Sequence, residues 1–232
     1  MIKGVTFDLE GTIVDLEAAH HQAHLEVCKK AGLNYNLSEA IKKIPHFIGG
    51  PDEAIMQEIK SLAKTSMNHE EMLKLDKAIY EKELKNISIA PRTGFLKIFD
   101  EIKKIGLQTS IGSLTKEKEA IRIMENSDIL KLFNFKNIIL KEHVAKLKPS
   151  PDVYLETAKR MSISAKEQLV FEDSPNGIKA ARAAGSMAIG MPIYNSEECI
   201  SKLKDAGAYK IFKSWTEINL KTLLEEINSN VM

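Results

Sequence analysis

Two short segments carry acids in a pattern that could do chemistry. Asp8-Leu9-Glu10-Gly11-Thr12 follows the apolar run Ile2–Phe7, and Glu172-Asp173-Ser174 follows Leu169-Val170-Phe171. Each places carboxyl groups where a buried strand ends, and Gly11 lets the backbone turn away sharply. Either segment alone reads as an ordinary turn or helix cap. Side by side they would crowd several negative charges, which is costly unless a divalent cation neutralises them, and hard oxygen ligands select Mg2+. Two further segments fit the same site. Lys148-Pro149-Ser150-Pro151-Asp152 sets a lysine just outside a helix start, ahead of two structure-fixing prolines, a suitable counter-charge for a phosphate near Asp8. The run from Thr109 through Gly112, Ser113, Leu114 and Thr115 ends a strand in small hydroxyl residues. Its backbone N–H groups and the Ser113 hydroxyl could cradle phosphate oxygens.

The elements that must position these residues are legible as short apolar runs alternating with helical patterns. Ile2–Phe7, Leu107–Gly112, Asn137–Leu140, Gln168–Phe171 and Ala188–Met191 read as strands. A helix with Leu96, Phe99, Ile102 and Ile105 on one face precedes Gly106, Ser150-Pro151 and Ser174-Pro175 open helices, and Gly185 closes one. This alternation predicts an α/β fold, a Rossmann-like parallel sheet with helices on both faces. From Asp15 to Ser88 only helical patterns occur: Leu16–Ala31, Pro51–Lys64 and a segment opening at Asn68 with a capping-box spacing. The expected organisation is therefore a core of residues 1–14 and 89–232 with an inserted all-helical cap subdomain, 15–88, over the edge where open α/β sheets place their sites.

Composition bounds the partners. The chain has 232 residues, 44% of them apolar, and a net charge of +1. It therefore offers no global field for nucleic acid or an anionic membrane surface, and it has no apolar run long enough to span a bilayer. Two distant cysteines, Cys28 and Cys199, argue against a disulfide or zinc framework, so a cytoplasmic location is expected. Only Arg92, Arg122, Arg160 and Arg182 are arginines, which leaves anion binding to lysines and backbone amides. A dinucleotide fingerprint and a P-loop are excluded by the single Gly after the first strand and the lack of any Gly-Lys pair.

In this order, the four segments resemble the haloacid dehalogenase (HAD) superfamily, in the helical-cap branch that includes β-phosphoglucomutase and phosphoglycolate phosphatase. The resemblance covers essentially the whole chain and includes Asp15, His20, Gly177 and Gly185. It implies that Asp8 attacks phosphorus to form an aspartyl-phosphate, while Glu10 protonates the leaving oxygen and later activates water. It also implies Mg2+ held by the Asp8 and Asp173 carboxylates and the Glu10 carbonyl, with Glu172 a ligand or a supporting partner. Ser113, Leu114 and Lys148 fall at the phosphate-binding positions. The implied activity is hydrolysis of a small phosphorylated metabolite, a sugar phosphate above others. The alternatives are a sugar-phosphate mutase and a catalytically weak binding scaffold.

Three departures qualify this. Glu10 stands where the family has Asp, and one extra methylene matters where misplacement by about 1 Å can cost on the order of a hundredfold. On that argument Glu10→Asp should preserve or raise turnover. Leu114 cannot hydrogen-bond phosphate through its side chain, and Leu16 replaces a hinge Ser or Thr. Residues 15–88 hold no arginine to grip a second phosphate, which disfavours a mutase. In the loop His46-Phe47-Ile48-Gly49-Gly50, His46, Phe47 and Gly49 are candidate substrate contacts, as is His20 near the hinge. His20 and His24 lie one helical turn apart, a spacing that can bind zinc, but no third ligand is apparent in the sequence. A monomer is expected, with a dimer as the alternative.

Overall fold

The computed structural model describes residues 1–48, 50–86 and 88–230. The chain divides into two units, Met1–Asp15 with Ile89–Met232, and Leu16–Ser88. The first is α/β. Among the described residues its six strands are β1 (Gly4–Phe7), β2 (Gln108–Gly112), β3 (Ile138–Ile139), β4 (Gln168–Glu172), β5 (Met187–Gly190) and β6 (Lys210–Ile211). They form one parallel sheet in the order β3-β2-β1-β4-β5-β6. The chain leaves central β1 towards β2 and β3, then returns to the other side of β1 with β4. The ends of β1 and β4 thus flank the point where strand order reverses, which is where such sheets open a crevice.

Residue type explains the sheet's position. Every residue of β1 and β4 is buried, as expected of strands covered on both faces. On one face Phe7 stacks on Phe171 at 5.7 Å and meets Phe95 and Trp215 at 5.4 and 5.8 Å. On the other, Gln168 of β4 ties Thr6, one helix and the residue before β5 into a polar knot: it accepts from the Thr6 and Thr157 hydroxyls and donates to the Tyr154 carbonyl and the Ser186 hydroxyl. Each buried polar atom of that amide is thereby satisfied.

The helical unit contains α1 (Glu17–Lys30), α2 (Leu37–Lys43), α3 (Asp52–Leu62) and α4 (His69–Asn86). Its core joins Val27, Cys28, Ile44, Phe47, Met56 and Met72, among others. The capping box expected at Asn68 is present, since Asn68 and Glu71 exchange backbone-to-side-chain bonds of 2.7 and 2.9 Å. Helix α2 is not among the expected elements. Leu37, Ala40, Ile41 and Ile44 recur at helical spacing behind the Asn36/Glu39 capping box, a signal present in the sequence but passed over, although Leu37 and Ile41 are exposed in the fold.

The remaining helices are α5 (Phe95–Lys104), α6 (Glu117–Asn126), α7 (Asp152–Arg160), α8 (Pro175–Ala184), α9 (Glu197–Asp205) and α10 (Leu220–Asn230). Three expectations need correcting. Helix α5 buries Phe95, Ile98, Phe99 and Ile102, whereas Leu96 and Ile105 face outward at 50% and 55% exposure. A register of 3, 1 and 3 residues follows the helical turn better than the strict spacing of three. Helix α7 begins one residue later than Ser150-Pro151 suggested, and the Ser150 hydroxyl binds the Asp152 side chain rather than capping. Strand β6 escaped notice because two edge residues carry no alternation. Ser174 and Gly185 do cap α8 as expected. Among the described residues, no helix is long and apolar enough to cross a membrane.

Candidate active site

The C-terminal ends of β1, β2 and β4 bring Asp8, Ser113, Glu172 and Asp173 together with Lys148. Asp8 is held at the end of β1 by its N–H, which donates to the Phe171 carbonyl of β4. The Lys148 ammonium lies 2.6 Å from Asp8 Oδ1, 2.5 Å from Glu172 Oε1 and 3.2 Å from the Gly112 carbonyl. It is supplied by the loop before α7, across a cis Lys148–Pro149 peptide. Glu172 is fully buried, and both of its oxygens are occupied. Oε1 accepts from Lys148 and the Tyr154 hydroxyl, while Oε2 accepts from the Ser174 N–H and hydroxyl. That makes Glu172 the residue that fixes Lys148, with little capacity left for a metal ion.

Two glycines make room for these acids. A Cβ at Gly177, in the first turn of α8, would sit 1.7 Å from Glu172 Oε1. At Gly11, where φ is +83°, a Cβ would sit 2.3 Å from Asp173 Oδ2. Asp173 accepts from the Thr12 hydroxyl at 3.2 Å. The loop after β1 is pinned further by Arg92, whose guanidinium donates to the carbonyls of Gly11, Met191 and Pro192.

The electrostatics follow from three carboxyl groups sharing one buried cation. Burial, opposed by Lys148 and reinforced by Glu172, pushes Asp8 from an ordinary 3.8 up to about 7. Asp173 is also raised well above the usual carboxylate range, first by burial and then by Glu172 and Asp8. Burial alone would lower the Lys148 ammonium, but Asp8 and Glu172 outweigh it and hold it charged, well above the usual lysine range. Protonation is the site's recourse when no cation balances the carboxylates.

Glu10 is turned the other way, towards the loop after β2. Its Oε1 accepts a short hydrogen bond from the Thr115 hydroxyl, which lies 2.9 Å from Ser113 Oγ. Since Thr115 donates to Glu10, Ser113 donates to Thr115, and the hydroxyls form a chain pointing at the carboxylate. The expected backbone cradle is largely used internally: the Ser113 N–H donates to the Ile139 carbonyl and the Thr115 N–H to Ser113 Oγ. Leu114 lies between them, half-buried.

The other candidates belong to the helical unit. His20 stacks on Tyr80, with ring centroids 4.1 Å apart. His46 is exposed, with Nδ1 2.5 Å from Glu58. Phe47 corrects an expectation: at 1% exposure it is part of that unit's core, so its ring has no face to offer a substrate. Gly49 lies outside the described residues. Thr115, Tyr154 and Arg92 were not identified as site residues from sequence. Thr115 alone had a usable signal, a hydroxyl in the Gly112–Thr115 turn.

The profile of haloacid dehalogenase-like hydrolases matches residues 5–191. A fructose-1-phosphate phosphatase of Escherichia coli is 30% identical over 187 residues, 80% of this chain and 94% of that protein. A phosphorylated carbohydrates phosphatase of Thermotoga maritima is 24% identical over 221 residues, 94% and 98% of the two chains. A haloacid dehalogenase-like protein of Agrobacterium tumefaciens superposes with a TM-score of 0.81 at 22% identity, covering 98% of this chain and 100% of its own. With its acid-bearing β1 and β4 flanking the reversal of a Rossmann-like sheet, the chain belongs to the haloacid dehalogenase-like hydrolase family and is an enzyme of the phosphatase kind.

Proposed function

We propose that the enzyme is a Mg2+-dependent phosphatase of small sugar phosphates that works through an aspartyl-phosphate on Asp8. The observation that carries this is the buried Asp8 at the end of β1, clamped by Lys148 beside Asp173. In the first step an Asp8 carboxylate oxygen attacks phosphorus, the P–O bond to the sugar breaks, and Glu10 gives its proton to the departing oxygen. In the second, Glu10 takes a proton from water, the hydroxide attacks phosphorus, and the bond to Asp8 breaks to release phosphate. Lys148 and the Ser113 hydroxyl, once turned from Thr115, hold the transferring phosphoryl oxygens, with the Leu114 N–H as a further donor.

The residues fit a hard divalent cation. Asp8 and Asp173 offer carboxylate oxygens whose proton affinity is raised first by burial and then by the neighbouring acids, and the Glu10 carbonyl would add a third oxygen. Bound there, Mg2+ would supply charge neutralisation for the approach of a phosphate dianion. Sugar phosphates are favoured as substrates by the two relatives named above. The lack of arginine in residues 15–88 favours hydrolysis over mutase chemistry.

The test is phosphate release from a panel of hexose and pentose phosphates, with Asp8→Asn as the blank. Mg2+-dependent release that vanishes in Asp8→Asn is expected. Release unchanged in Asp8→Asn, or none from any sugar phosphate, would overturn the reading. Isomerisation primed by a sugar bisphosphate and faster than hydrolysis would turn it to a mutase.

A further inference from the structure

The helical unit holds a cluster that phosphoryl transfer does not use. His20 and His24 lie one turn apart on α1 and so share a face, and Asp52 is the first residue of α3. One nitrogen of each imidazole and one Asp52 oxygen all lie within 4.8 Å of one another. His24 Nε2 stands 3.9 Å from Asp52 Oδ1, and its other nitrogen, Nδ1, is 2.8 Å from Asp76 Oδ1, with both of those side chains buried. The sequence offered the two histidines without a third ligand; the fold supplies it.

The second layer is what a metal histidine needs. A carboxylate at Nδ1 draws the ring proton there, which leaves the Nε2 lone pair facing Asp52. His20 is braced by its stack on Tyr80, with ring centroids 4.1 Å apart. Asp52 is about half exposed, so an ion has a way in and water can complete the coordination sphere. Contacts of His24 with Asp76 and Asp52 alone would not require a His20 nitrogen at the same point, whereas a shared ion would.

We propose that His20, His24 and Asp52 form a site for a divalent transition-metal ion of the zinc class, with Asp76 as the positioning residue behind His24. Two imidazole nitrogens and one carboxylate suit Zn2+, Co2+ or Ni2+ and not Mg2+, so the site is chemically distinct from the all-oxygen set of Asp8 and Asp173. Bonds of about 2.0–2.2 Å put tetrahedral ligand atoms about 3.4 Å apart, so closure around an ion requires only side-chain adjustments of an ångström or so. Three protein ligands leave at least one position to water. The bound ion would tie α1 to the start of α3.

Co2+ titration of the metal-free full chain in a large excess of Mg2+ tests this. Imidazole-ligated Co2+ of low coordination number absorbs visibly far more than six-coordinate, all-oxygen Co2+. One saturable equivalent of that band is expected, displaced by Zn2+. His20→Gln and Asp52→Asn should each weaken Co2+ binding at least tenfold with the far-ultraviolet circular dichroism unchanged, and Asp76→Asn should weaken it about 10–100-fold. Lack of the band in the wild-type chain, or wild-type affinity in either His20→Gln or Asp52→Asn, would overturn the proposal.

Discussion

Thr115→Val isolates the hydrogen bond that distinguishes this site from the sequence-based expectation. Valine keeps the shape of threonine and removes the hydroxyl that donates to Glu10 Oε1 and accepts from Ser113. A hydrogen bond to a charged group contributes about 1.5–3 kcal/mol. If that bond holds Glu10 in line with the leaving oxygen, its loss corresponds to a fall of about ten- to a hundredfold in the step Glu10 assists. Two substrates separate that step from the rest. A sugar leaves as a poor alkoxide and needs a proton, whereas p-nitrophenolate leaves without one. The ratio kcat/KM reports only the steps up to formation of the phosphoenzyme, while kcat also includes its hydrolysis.

The expected pattern is therefore asymmetric. For a sugar phosphate, kcat/KM falls by about ten- to a hundredfold. For p-nitrophenyl phosphate, kcat/KM is nearly unchanged, while kcat falls because, in the proposed mechanism, water still needs Glu10 as its base. Thr115→Ser, which keeps the hydroxyl, restores both. An equal fall in kcat/KM for the two substrates would refute the reasoning and assign Thr115 to phosphate binding through Ser113. No fall at all would show that the bond to Glu10 is irrelevant to turnover. The structure also reverses an expectation for Glu10→Asp: the extra methylene is what reaches Thr115, so the shorter side chain should reproduce the Thr115→Val defect rather than raise turnover.

Four further outcomes are expected. In the presence of EDTA, Lys148→Met should destabilise the chain by about 3–5 kcal/mol in urea denaturation, because it leaves Asp8 and Glu172 buried without their cation. With Asp8 raised from 3.8 to about 7, the folded state keeps a proton that the unfolded chain releases, so this group's contribution to stability falls as pH climbs between those values. Losing Lys148 raises Asp8 further and extends the fall, so the deficit should be larger at pH 8 than at pH 6; an equal or smaller one would contradict the assignment. Gly177→Ala should cost about 1–3 kcal/mol by forcing Glu172 aside, together with most of the phosphatase activity. Gly106→Ala meets nothing within 4 Å and should cost about 1 kcal/mol of backbone strain, leaving activity intact. A thiol reagent should modify Cys199 in the native chain and Cys28 only after denaturation, since burial pushes the Cys28 thiol up to about 11; rapid reaction of both would show that the helical core opens readily.

What was legible divides along sequence distance. The acids of β1 and β4 announced themselves because a strand end, a carboxyl group and a glycine or serine sit within five residues of one another. Lys148 was legible through its prolines, and Ser113 through the small residues that close β2. The contacts that tune these groups were not, because each joins residues far apart in the chain: Thr115 to Glu10 across 105 positions, Arg92 to Gly11 across 81. Nothing in a threonine's neighbourhood says which carboxylate it will meet. Phe47 failed for a related reason. A loop aromatic is compatible with a pocket or a core, and only the packing of Val27, Ile44 and Met56 around it decides.

The same distinction changes the meaning of Glu10. Against a family pattern, glutamate at this position is a misfit, a carboxyl group displaced by one methylene from where a proton must be handed over. In the fold, the displacement has a partner. Thr115 accepts from Ser113 and donates to Glu10, so the longer side chain is held at its end rather than left to sample rotamers. A positioned carboxyl group can act as acid and base; a free one at the same average distance cannot. Whether this site is slow or merely differently built therefore turns on a hydroxyl on a neighbouring loop, and the leaving-group dependence of Thr115→Val measures that directly.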